Sequence, residues 1–179
     1  SLFSVMTGVA LVFGYALLGA GWLNIKATGE LQAWSRTVAE RVLYVVLLFV
    51  VAVSLATPYL DPVIAARWFS FPNILYLSPV PIATAAAAAG LWWSLRQGRE
   101  ILPFLLGVSL FLLCFLGLGV SLFPYIVPRE ITIWEAAAQR ESQIFLLVGV
   151  VVLIPVILAY TAYAYAVFRG KVRGDEGYH

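Results

Sequence analysis

The chain has 179 residues, of which 63% are hydrophobic and only 11% charged, and its mean hydropathy is +0.95. Those values lie outside the range of soluble globular domains and inside that of all-α polytopic membrane proteins. A net charge of +2, with eleven Lys and Arg scattered between apolar runs, leaves nucleic-acid binding nothing to rest on. The single cysteine, Cys114, and single histidine, His179, exclude a disulfide framework or a thiolate metal cluster within the chain.

About 20 apolar residues, at 1.5 Å rise each, cross the roughly 30 Å hydrocarbon core of a bilayer. The first such run is 2–25, interrupted only by groups as mild as Thr7 and Tyr15. It begins almost at Ser1, with no cationic segment of the signal-peptide kind, so preceding spans are expected. Ala10, Gly14 and Gly21 fall within about 40° of one another at 100° per residue, a stripe along which another helix can approach closely. Trp22 and Lys26 close the span as an aromatic anchor and a snorkelling cation. The polar stretch 27–41 carries Leu31, Trp34 and Val38 at helical spacing and predicts a short amphipathic surface helix leading into the second span.

That span, 42–60, is stopped by Asp61-Pro62, because the proline ring restrains the residue before it and removes a donor. An interfacial connection rich in aromatic residues follows, with Arg67, Trp68, Phe69 and Phe71. The third span, about 75–95, has a centre of almost only small residues, Ala83 to Gly90, which predicts tight packing among other helices. Trp92, Trp93 and Arg96 end it, and the five-residue loop RQGRE makes spans three and four antiparallel neighbours. Span four, 101–124, lies in a stretch with no charge between Glu100 and Arg129. Gly107, Cys114, Gly117 and Ser121 share about 80° of its circumference, a second face for close packing. A surface segment follows in which Ile131, Ile133 and Trp134 can dip into the interface. The fifth span, 143–168, contains Pro155, a predicted kink, and ends in a belt of Tyr160, Tyr163, Tyr165 and Phe168.

Assigned to alternate sides of the membrane, three cations (Arg67, Arg129, Arg140) face eight (Lys26, Arg36, Arg41, Arg96, Arg99, Arg169, Lys171, Arg173). The positive side is normally cytoplasmic, so the C-terminus is expected inside. No span contains Asp, Glu, His, Lys or Arg, the groups that proton relays, ion sites and haem sites need. Candidate chemistry is correspondingly thin. Cys114 reads as a packing residue before a reactive thiol, His179 as a solvated tail residue, and the fifth-span tyrosines as belt anchors. Met6 as a haem ligand has no His partner, and Glu130, Glu135 and Glu141 read as a solvated loop face. No catalytic, cofactor-binding or metal residue is assigned. Half of a repeat-built secondary transporter is the competing class, with Pro155 as its only hint of a broken helix.

Three blocks in order, GWLNIKATGELQ (21–32), SLFPYIVP (121–128) followed by ITIWEAAA (131–138), and LIPVILAYTAYAYAVFRGKV (153–172), resemble the C-terminal half of subunit II of cytochrome bd quinol oxidase. The tail GDEGYH is closest to the cyanide-insensitive type of that family. The resemblance implies a nine-span subunit of two four-helix bundles and a peripheral helix, with these five spans last. It also implies a bacterial inner-membrane location with the C-terminus cytoplasmic. The implied partner is a subunit I that carries two b-type haems and one d-type haem, oxidises quinol and reduces dioxygen to water. Subunit II would hold no haem, support assembly and proton access, and in some members bind a structural quinone. Membrane lipid is the other expected partner.

Overall fold

The computed structural model describes residues 2–127, 130–168 and 170–171, with the side chain of Leu2 excepted. The tail from residue 172, including Arg173 and His179, lies outside the described residues, as do Pro128, Arg129 and Arg169. The described residues form seven helices, α1 (Leu2–Lys26), α2 (Gly29–Leu60), α3 (Pro62–Phe69), α4 (Asn73–Leu77), α5 (Pro79–Arg96), α6 (Leu102–Leu122) and α7 (Arg140–Val167), with two short strands, β1 (Tyr125–Val127) and β2 (Ile131–Thr132), between α6 and α7. Among the described residues, five stretches are long and apolar enough to cross a membrane: Phe3–Lys26 of α1, α2, the α4–α5 stretch Asn73–Arg96, α6 and α7. The protein is an all-α polytopic membrane protein.

The chain forms two compact units, one comprising residues up to Ser121 together with Lys171, the other Leu122–Gly170. In the first unit, four helices share a core of Leu17 and Ala20 (α1), Ala39, Leu43 and Val46 (α2), Ala88, Leu91 and Leu95 (α5) and Leu110 (α6). Phe13 of α1 stacks on Phe49 of α2 with ring centroids 6.0 Å apart, and Tyr15 of α1 lies 5.6 Å from Phe111 of α6.

The surface helix expected at 27–41 is not a separate element. α2 runs unbroken for 32 residues, about 48 Å at 1.5 Å per residue, so it exceeds the hydrocarbon core. The reason lies in its buried stripe, Ser35, Ala39, Leu43 and Val46, which crosses the polar-to-apolar boundary at three- and four-residue spacing. No glycine or proline interrupts the helix between Gly29 and Pro58, so nothing gives the chain a place to bend. The connection 62–76 contains two further short helices. Asp61 caps α3, its carboxylate accepting the Val63 N–H at 2.9 Å, and Pro62 occupies the first turn, where a missing donor costs little.

The small-residue centre of α5 packs on one side only among the described residues. Ala87 and Ala88 are buried, whereas Ala85, Ala86 and Ala89 are exposed.

The second unit holds the β1–β2 hairpin, which pairs Tyr125 with Thr132 and Val127 with Ile131. This segment was not expected to form strands, although YIV and ITI are β-branched and aromatic sequences of the kind that favour them. Glu135 closes the turn after β2, its Oε2 accepting both the N–H and the hydroxyl of Thr132 at 2.8 Å. These bonds hold its carboxyl below the usual carboxylate range. α7 continues through Pro155, and none of its described residues is buried.

Candidate functional site

The polar chemistry of the first unit concentrates at the end where α1 finishes, α2 starts and α5 gives way to α6. Asn24, in the last turn of α1, is completely buried. Its Nδ2 donates to the carbonyls of Arg99 (3.0 Å) and Glu100 (2.9 Å), its Oδ1 accepts from Arg36 Nε (2.8 Å), and its main-chain oxygen accepts from Gln32 Nε2 (2.8 Å). One amide side chain thus ties α1 to α2 and to the α5–α6 loop, using both donors and an acceptor. Gln32 also donates to Glu100 Oε1 at 3.2 Å, and Lys171 pairs with the same oxygen. The Lys171 ammonium, then Gln32, hold the Glu100 carboxyl below its ordinary value. Gly98 in this loop has φ +67°, and a Cβ there would lie 3.1 Å from Arg36 Nη1, so both conformation and space call for glycine.

A second polar cluster on the same end joins α2 to α5. Arg96 Nε pairs with Glu40 Oε1 at 3.3 Å while its guanidinium lies 4.2 Å from the Trp92 ring centroid. Trp92 Nε1 donates to the Tyr44 hydroxyl at 2.9 Å, which in turn bonds Glu40 at 3.2 Å. At the opposite end of the unit, Arg67 Nη1 donates to the Val120 carbonyl at 2.9 Å. This satisfies an orphan acceptor at the C-terminus of α6 and complements its dipole. Beside it, Trp68 Nε1 donates to Ser121 Oγ at 2.9 Å, and Ser121 donates to the Gly117 carbonyl at 2.8 Å.

Among the residues proposed as interface anchors, Trp34, Trp93, Trp134, Tyr160, Tyr163 and Tyr165 are exposed, and Trp22, Trp68 and Trp92 half-buried. Trp22 packs its ring 5.4 Å from that of Phe104 and lies under Lys26; Trp134 meets Phe123 edge-on at 6.0 Å. Among the proposed packing residues, Gly21 and Gly107 are buried, and Ala10, Gly14, Cys114, Gly117 and Ser121 half-buried. A Cβ at Gly21 would stand 3.3 Å from Phe104 Cα, at Gly107 3.5 Å from Leu18, and at Gly14 and Gly117 3.8 Å from Phe111 and Val80. Gly90, where a Cβ would meet Leu106 at 3.2 Å, belongs with them and was not singled out individually.

Asn24, Gln32, Arg36 and Glu100 are the residues the sequence reading missed. Their only signal is that Asn24 and Gln32 both lie in GWLNIKATGELQ; the partners on the α5–α6 loop are more than 70 positions away. Among the described residues no three of His, Cys, Asp and Glu come together as a metal site. Every buried polar side-chain atom of the clusters is satisfied among the described residues, so they tie the helices and the α5–α6 loop together.

An α-helical unit with an apolar four-helix core and polar clamps towards both ends of its apolar stretches defines a polytopic membrane protein. The sequence model of the family described as cytochrome bd terminal oxidase subunit II matches residues 1–168, and the chain belongs to that family. It is similar to the cytochrome bd-I ubiquinol oxidase subunit 2 of Escherichia coli strain K12 and to the proteins of the same name from strains O6:H1 and O157:H7. Each is 24% identical over 204 aligned residues that take in 97% of this chain. The chain spans about half, 54%, of the length of these relatives. The family match does not favour the transporter reading.

Proposed function

We propose that this chain is the C-terminal part of the non-haem subunit of a quinol-oxidising terminal oxidase, packing beside and stabilising a haem-bearing subunit I. The observation that carries this reading is the family match over residues 1–168, which takes in all five apolar helices. The donor set agrees with a supporting role. Haem iron takes His, Cys, Met or Tyr ligands; Met6, Cys114 and several tyrosines lie in the five helices, but none of these helices contains a histidine to partner them. The b- and d-type haems belong in the partner, where quinol is oxidised and dioxygen reduced to water; this chain contributes helices and no step of that chemistry. A structural quinone, where the complex holds one, would lie among apolar helices of this kind.

The same reading makes the chain the last five spans of a nine-span subunit in the bacterial inner membrane. The end bearing Lys26, Arg36, Arg41, Arg96, Arg99 and Lys171 faces the cytoplasm, in keeping with the excess of cations there. Purification of the full-length protein with its co-purifying subunits tests the assignment. Absorption bands of b- and d-type haem together with quinol-dependent oxygen uptake are the expected result. A stable complex that contains this chain and shows no haem bands refutes it.

A further inference from the structure

Between the end of α5 and the start of α6, Trp93, Arg99, Glu100, Ile101 and Leu102 line an open cleft of about 340 Å³. Its groups divide by how far they are already engaged. The Glu100 carboxylate is held by Lys171 and Gln32. The Arg99 carbonyl accepts from the buried Asn24, which fixes the main chain here. The Arg99 side chain, by contrast, is exposed and makes no hydrogen bond or ion pair among the described residues, and neither does the Trp93 indole N–H. Trp93 is 48% exposed, Ile101 58% and Leu102 37%, so a guanidinium fork, an indole donor and an aliphatic wall open to the same space.

Position decides what chemistry suits that set. The cleft lies where two apolar spans meet their polar loop, the depth at which headgroups meet hydrocarbon. Among the described residues, the end of the unit that carries it has six cations, Lys26, Arg36, Arg41, Arg96, Arg99 and Lys171, against the carboxylates Glu30, Glu40 and Glu100. Its field therefore favours a net negative ligand. A phosphodiester supplies acceptor oxygens for the fork geometry of arginine and for the indole N–H. Its acyl chains would continue along Ile101, Leu102 and Leu105, the last 54% exposed on α6. We propose that this cleft binds the phosphate headgroup of an anionic phospholipid. The inference rests on the membrane character of the chain and does not depend on the oxidase reading.

Brominated lipids quench a tryptophan they touch, and the difference between wild type and Trp93→Phe isolates the signal of this indole. The experiment uses the full-length protein in its complex, reconstituted with brominated phosphatidylglycerol or brominated phosphatidylcholine. One interfacial cation is worth about a fivefold preference for anionic lipid. The Trp93 component should accordingly be quenched at about fivefold lower phosphatidylglycerol than phosphatidylcholine. Arg99→Gln, which keeps the carbonyl that Asn24 uses, should abolish the preference, and millimolar inorganic phosphate should leave quenching unchanged. Equal quenching by the two lipids, or a preference that survives Arg99→Gln, overturns the proposal. So does protection by inorganic phosphate, which would mark a small-anion site. No quenching of Trp93 by either lipid would mean that protein covers the cleft, and also overturns it.

Discussion

α2 and α7 are both long and apolar enough to cross a membrane, and they differ in what they bury. Both exceed the length a bilayer requires, at 32 and 28 residues. α2 places Ser35, Ala39, Leu43 and Val46 on one stripe, all buried. α7 has no buried residue, and its unit contains no second full helix, among the described residues. Lipid tails are as apolar as leucine, so hydrophobicity alone cannot drive a helix out of lipid and onto a neighbour. α2 is held within its own unit by a buried stripe in register and by the clamp near its start.

The clamp gives the largest expected effect. Asn24→Leu removes the donor used by the Arg99 and Glu100 carbonyls and the acceptor used by Arg36. Each buried polar group left unpaired costs about 1–3 kcal/mol, so the purified protein should lose several degrees or more of thermal midpoint or fail to accumulate. Leu153→Ala in α7 should change the midpoint by less than about 0.5 kcal/mol equivalent, as for an exposed substitution. Equal losses from the two variants would break the contrast between the helices.

Leu43→Ala tests the core itself. Leu43 is fully buried in the core of the first unit. The transfer term is small when the alternative solvent is lipid, which leaves the cavity term, so the cost should be about 2 kcal/mol, the low end of the range for buried leucine. The measurement is denaturant or thermal unfolding in lipid nanodiscs, again beside Leu153→Ala. Close approach is sharper still as a discriminator within α1. Gly21→Ala forces the Phe104 backbone to move, at about 1–3 kcal/mol less the roughly 1 kcal/mol that alanine adds to a helix. Gly14→Ala meets only ordinary contact with Phe111 and should stabilise by up to about 1 kcal/mol. A loss at Gly14 as large as that at Gly21 would show that the stripe is a lipid-independent packing surface along its whole length.

The spans and their order could be read from the sequence because a charge-free run of the right length has one physical solution in a bilayer. The family blocks were legible for the same reason that they are unusual: SLFPYIVP and GWLNIKATGELQ break long apolar runs with turn and polar residues. Asn24 was not legible. A lone amide two residues before Lys26 reads as the end of a span, and only the fold brings Arg36 and the α5–α6 loop around it. The unity of α2 was hidden because its polar first third and apolar remainder look like two elements, while the stripe that joins them contains a serine and an alanine. The hairpin at 125–132 was masked by its brevity. Trp68 and Ser121, read separately as an anchor and a packing residue, turn out to be hydrogen-bonded to each other.

The smallest effect is one of pH, and it falls on both units alike. Glu100 in the first unit and Glu135 in the second each have a carboxyl held below the ordinary value of 4.5, the one chiefly by Lys171 and Gln32, the other by the Thr132 N–H and hydroxyl. A carboxyl with a depressed folded-state pKa contributes stability that is fully present above its unfolded value and is lost as pH falls through the folded one. Both groups are exposed, so solvent screens them and each contribution is slight. Glu100→Gln and Glu135→Gln should therefore lie a little below wild type in thermal midpoint near neutral pH. The gap should close as pH falls below the ordinary value and through the lowered folded-state one, where the wild-type carboxyls take up protons. A gap that widens on acidification at either position would mean that the carboxylate there is held by repulsion it tolerates, and that the clamp and the hairpin owe nothing to its charge.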